Sequence, residues 1–142
     1  MMLYEPLTLL LLLITWASII YYDVRYRIVP DVLVVSLLIL GGLYYCLTYE
    51  HFLCAGILGL GGTLLKISIE KLLSRPALGW GDVKLAAALG IGMIPEQISL
   101  FLICTGFIGC IWGLFYKIIL KESLFPFAPS LILGFLLVTQ FL

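Results

Sequence analysis

The sequence predicts an all-α polytopic membrane protein, a bundle of six transmembrane helices with the N- and C-termini outside. Three observations carry that expectation. The 142 residues are 63% hydrophobic and 11% charged, with a mean hydropathy of +1.22, whereas soluble domains run at about 45–50% apolar and about 25% charged. The apolar residues fall into runs of bilayer-crossing size, and the length accommodates about six spans of roughly 20 residues joined by short connections. Every lysine and arginine lies at alternate connections or within snorkelling reach of them. Residues 1–142 therefore read as one membrane domain embedded in the lipid bilayer, with no room for a soluble one.

The first run, 3–22, lacks a basic start and a small-residue cleavage site and carries Glu5, so it reads as a retained span and not as a signal peptide. The second, 32–48, follows Pro30, with Asp31 expected to cap its helix. The third, 52–70, begins after Glu50-His51, His51 being read as a solvated loop residue. The fourth, 83–94, lies between Arg75-Pro76 and Pro95-Glu96-Gln97; the fifth, 98–118, precedes Lys121-Glu122; the sixth is 125–142.

Charge sets the orientation. Arg25 and Arg27 lie between the first two spans, Lys71 and Arg75 between the third and fourth with Lys66 and Lys84 close enough to snorkel there, and Lys117 and Lys121 beside the fifth connection. The opposite side holds Glu5, Glu50, His51 and Glu96, so the basic connections are expected in the cytoplasm. The formal net charge of zero argues against a nucleic-acid surface or a polybasic lipid-binding tail. Cys46, Cys54, Cys104 and Cys110 sit in apolar runs without a Cys-x-x-Cys pair, so they read as small buried hydrophobes, and no metal or other cofactor is expected.

Function concentrates at two acids. Asp82 ends Gly79-Trp80-Gly81-Asp82 and opens an apolar, small-residue run beginning Val83-Lys84; Asp23 ends the first span. A carboxylate in such a place is costly, which makes function the default hypothesis. Two complete crossings separate them, so both are expected toward the cytoplasmic face. If Pro95 marks the outer boundary, Asp82 lies only about 18–20 Å from it, inside a core of about 30 Å, in a setting that requires covering protein or a water-filled cavity.

Paired carboxyls suit peptide hydrolysis, because one ionised group takes a proton from water while its protonated partner polarises the carbonyl. Gly79 and Gly81 remove side chains beside Asp82, which lets a substrate backbone approach or simply adds flexibility. Asp23 near a helix C-terminus and Asp82 near an N-terminus suggest that Asp82 is the ionised base and Asp23 the proton carrier. The bland alternatives are Asp23 paired with Arg25 or Arg27 at the headgroups, and Asp82 as an N-cap beside a snorkelling Lys84. The pairs Ala86/Gly90, Ala88/Gly92 and Gly109/Gly113 offer faces for close helix packing. Trp16, Trp80 and Trp112 read as interfacial anchors, Trp80 also as a wall of the site.

Gly79-Trp80-Gly81-Asp82-Val83-Lys84-Leu85 resembles the GxGD motif and its trailing lysine in the type IV prepilin peptidase family, and Asp23-Val24-Arg25 to Ile28-Val29-Pro30-Asp31 resembles that family's first aspartate segment. Pro126-Phe127-Ala128-Pro129 through Gly134 is similar to its C-terminal Pro-Phe-Gly-Pro segment, with Ala128 in place of glycine. The resemblance implies a GxGD-type aspartic endopeptidase of the cytoplasmic (inner) membrane that removes the leader of prepilins or pilin-like proteins at the cytoplasmic face, with Asp23 and Asp82 as its catalytic pair. Substrates would carry a basic leader, commonly ending in glycine, ahead of a hydrophobic helix. Larger members carry an N-terminal region with two Cys-x-x-Cys pairs that accompanies pilin methylation; this chain resembles the short, core-only form, so peptidase activity without methylation is expected.

Two other readings compete. The aspartate motifs are also similar to those of presenilin-like proteases, but Pro76-Ala77-Leu78 precedes Asp82, whereas that family carries such a triplet in a later span. A small proton-coupled transporter or channel subunit would use the acids as a relay, yet no inverted repeat supports it.

Overall fold

The computed structural model describes residues 4–45, 48–74, 78–121 and 125–141. Among them the chain forms α1 (Tyr4–Tyr26), α2 (Asp31–Tyr44), α3 (Tyr49–Leu73), α4 (Trp80–Leu89), α5 (Pro95–Phe115) and α6 (Ala128–Phe141), with a 3-10 turn at Gly90–Gly92 and a π-helical turn at Tyr116–Leu120. Each expected apolar run thus holds a helix. Among the described residues three helical stretches, Pro6–Tyr26, Tyr49–Leu72 and Pro95–Leu120, are long and apolar enough to cross a membrane. The 14-residue α2 and α6 extend about 21 Å each, and α4 with its 3-10 turn about the same, short of a core of about 30 Å.

Local chemistry sets the boundaries. Pro30, locked in extended backbone, is the N-cap of α2, so Asp31 is its first helical residue and not its cap. Pro95 opens α5, and the preceding Ile94 amide donates to Gln97 Oε1 at 3.1 Å. Arg27, Ser74 and Lys121 take left-handed backbone (φ 57, 52 and 55°), ending α1, α3 and the π-helical turn. His51 is a correction: it lies in the first turn of α3, half-buried, with Nδ1 3.1 Å from the Met93 carbonyl. That contact ties the start of α3 to the connection before α5.

The core is drawn from most helices, with Leu12, Trp16 and Ile19 of α1 packed with Leu85 and Leu89 of α4, Phe101 of α5 and Phe135 of α6. Trp16 therefore departs from its expected interfacial role. It is buried and meets the Phe135 ring edge-on at 5.8 Å. Cys54 is buried as expected, Cys104 half-buried, Cys110 exposed, and Cys46 lies outside the described residues. Leu10, Leu60, Leu64, Ile103, Phe107 and Ile111 point outward from α1, α3 and α5, the arrangement of a surface solvated by lipid.

Glycines decide how closely the helices approach. A Cβ at Gly90 would stand 2.8 Å from the Ala55 Cα, so α3 and the end of α4 touch through backbone, as the small-residue pattern predicts. Gly109 and Gly113 behave differently, receiving the rings of Phe127 and Phe125 and not another helix. Gly134 is the tightest: a Cβ there would lie 2.3 Å from Thr105 Oγ1 and 3.2 Å from the Thr105 amide nitrogen. Gly134→Ala is expected to cost about 1–3 kcal/mol by overpacking α5 against α6, read as a lower unfolding midpoint in detergent.

Candidate active site

The α4 N-terminus places Asp82. Helix α4 starts three residues before the expected run, with extended Gly79 as N-cap, Trp80 and Gly81 as its first residues and Asp82 in its first turn. Asp82 is therefore not the N-cap. Its half-buried carboxylate hydrogen-bonds back to the Gly79 backbone, the way acidic residues at the third helical position satisfy an orphan amide. Gly79 makes the close return possible, because a Cβ there would lie 3.0 Å from Asp82 Oδ2.

Asp23 belongs to the last turn of α1 and is buried. Its Oδ2 accepts a hydrogen bond of 2.9 Å from the amide of Ala128, the first residue of α6. The carboxylate thus ends one helix in sequence and meets the N-terminus of another in space. The helix-end argument that made Asp82 the base and Asp23 the proton carrier loses its asymmetry, because both acids now face helix N-termini. Arg27, whose guanidinium sits 5.1 Å above the Tyr116 ring, lies within electrostatic reach of Asp23.

The two carboxylates lie toward the same end of the bundle, within electrostatic reach of one another. The same end collects the connections after α1, α3 and α5, through the Asp23–Ala128, Lys66–Leu78 and Arg27–Tyr116 contacts. Gly81 meets the connection after α1 closely: a Cβ there would stand 2.9 Å from the Val29 Cβ. Its missing side chain therefore makes room for the chain's own Ile28-Val29-Pro30 segment.

Lys84 turns away from Asp82, two residues along the same helix. Its ammonium pairs with Asp31 at 2.7 Å, joining the starts of α2 and α4 on the exposed surface. Exposed pairs contribute little, so Asp31→Asn or Lys84→Gln is expected to change stability by less than about 1 kcal/mol, measured as the unfolding midpoint. Trp80 is exposed, with the Lys66 ammonium 5.2 Å from its ring centre. Lys66 does not snorkel as expected. It is buried, pairs with Glu70 and donates to the Leu78 carbonyl.

Asp82 also forms part of the wall of a cavity of about 470 Å³ bounded by α3, α4, α5 and the start of α6. Its lining is apolar apart from that carboxylate and Thr105, with Leu58, Val83, Phe101 and Leu131 among the walls. Gly61 and Gly106 line it where a Cβ would meet nothing within 4 Å. An apolar cavity ending at a carboxylate can hold a hydrophobic chain with its backbone beside an acid.

Compared with known protein families, residues 9–114 match the type IV leader peptidase family. The chain belongs to that family. Searches of curated proteins and of solved structures returned no match. Membership in this peptidase family, with the long apolar helices, makes the chain a membrane protease of the leader-peptidase kind. Asp23, Asp82 and residues 79–84 all lie inside the matched segment, whereas the Pro126–Pro129 segment follows it, so its resemblance rests on its own residues.

Two contributors to the site escaped the sequence reading. The Ala128 amide carried no local signal, because a backbone donor 105 residues from Asp23 is brought there only by the packing of α6. Lys66 did carry one: a lysine within an apolar run, four residues before Glu70, has the spacing of an intrahelical ion pair.

Proposed function

We propose that the protein is an aspartic endopeptidase that removes the leader peptide of type IV prepilins or pilin-like proteins, with Asp23 and Asp82 as its catalytic pair. The observation that carries this reading is that two acids 59 positions apart in the sequence (82 − 23) lie within electrostatic reach of one another in a member of the leader peptidase family. One carboxylate takes a proton from water, whose oxygen attacks the scissile carbonyl carbon. The partner carboxyl donates its proton to the carbonyl oxygen, and collapse passes a proton to the departing amine.

The cavity beside Asp82 supports a substrate whose hydrophobic segment lies along α3 and α5, where Gly61 and Gly106 leave space, while the leader crosses the paired acids. All six helices are read as crossings of the cytoplasmic membrane, both termini outside, the shorter ones recessed so that Asp82 stays below the cytoplasmic surface. The basic residues Arg25, Arg27, Lys71 and Lys84 near that end favour this orientation.

The test is co-expression with prepilin-like proteins from the same organism, following leader loss by mass. Removal of a leader in the presence of the wild-type chain, and not in its absence, is the expected result. Flux of protons that depends on Asp82 with no cleavage of any such substrate would replace the reading with that of a transporter.

A further inference from the structure

We propose that Lys66 is a positioning residue: from the buried side of α3 it fixes the backbone that leads into α4 and so holds Asp82 in place. The inference rests on the peptidase reading. Lysine is seldom buried unless paired, and Lys66, though near the end of α3, leaves only 5% of its surface exposed. A lysine serving only its own helix would be satisfied by Glu70, one turn away. Lys66 instead also donates to the Leu78 carbonyl and lies against the Trp80 ring, 5.2 Å from its centre.

Those contacts bracket Gly79 and approach Gly81. The turn that presents Asp82 contains two glycines, which gain close approach at the expense of conformational freedom. An anchor outside the turn can remove that freedom. The Lys66 ammonium holds the residue before Gly79 by its carbonyl and the residue after it by its ring, leaving the Gly79 backbone free to receive the Asp82 carboxylate. The same positive charge reaches Asp82 electrostatically.

The test compares Lys66→Met, Lys66→Arg and Glu70→Gln as full-length, membrane-inserted proteins, with cleavage of a prepilin substrate normalised to inserted enzyme. Misplacing a reacting group by about 1 Å costs on the order of 100-fold, so Lys66→Met is expected to lower kcat by about 10- to 100-fold with KM within about threefold of wild type. Lys66→Arg, which keeps a cation and donors, recovers most of that loss, and Glu70→Gln stays within about threefold of wild type. The double variant Lys66→Met/Glu70→Leu also removes the half-buried acid that Lys66 faces, restoring accumulation if Lys66→Met folds poorly, without restoring kcat. Full turnover by Lys66→Met, by the double variant, or no recovery by Lys66→Arg, would overturn the proposal. Absence of cleavage by the wild-type chain, or cleavage that survives Asp82→Ala, would instead overturn the peptidase reading on which it stands.

Discussion

Alanine at Asp23 or at Asp82 is expected to abolish leader removal, each lowering turnover at least about 1,000-fold, with the double variant hardly worse than either single one. The lack of additivity is the diagnostic part, because two carboxyls that share one proton and one water act as a unit. The two variants should differ in stability. Asp23→Ala leaves the Ala128 amide without its acceptor at the start of α6, which costs about 1–3 kcal/mol for a buried donor. Asp82→Ala frees only the Gly79 backbone, at an exposed turn, and is expected to unfold close to the wild-type midpoint. Asp23→Asn separates the roles, since its amide oxygen can still accept from Ala128 while its charge is gone. It should keep the wild-type midpoint and lose activity. Cleavage by mass together with the unfolding midpoint decides all of these, and turnover surviving alanine at both positions would end the proposed mechanism.

Gly81→Ala is the second large effect. The added Cβ would sit 2.9 Å from the Val29 Cβ and 3.3 Å from its Cγ2, closer than carbon atoms tolerate, so either the start of α4 or the Ile28-Val29-Pro30 connection must move. Asp82 follows Gly81 directly, and a shift of about 1 Å there is expected to cost on the order of 100-fold in turnover. The compensating changes are specific. Val29→Ala keeps the offending Cβ and should rescue little, whereas Val29→Gly removes it and should restore a large share of activity. Equal rescue by the two, or none by Val29→Gly, would show that Gly81 acts through something other than this contact.

Asp23, Asp82 and the Gly79-Trp80-Gly81 turn were legible because each breaks a local rule. An acid at the end of an apolar run, or glycines where a helix should start, stands out against its neighbours without any knowledge of packing. Helix positions followed from the same contrast, and the boundaries moved by a few residues where backbone chemistry decided them: Gly79 and Pro30 became caps, and Thr48 rather than His51 preceded α3. His51, Trp16 and Lys66 were misplaced for a shared reason. Each is an amphipathic side chain with an apolar body and a polar tip, so its type permits both an interface and a buried partner. Which one it takes depends on whether another helix offers that partner.

The sequence by itself determined that this chain is apolar and helical, that its basic residues gather at alternate connections, and that two acids separated by an even number of expected crossings stand apart from the rest. Those properties are periodic or compositional and survive reading one residue at a time. Only the tertiary structure decided that Asp23 meets the first amide of α6, that Gly81 is occupied from outside by Val29, and that the Asp82 turn is held by a lysine of α3. Each of those contacts joins segments from different helices. No local pattern encodes them, because they arise from the distances at which separate helices come to rest.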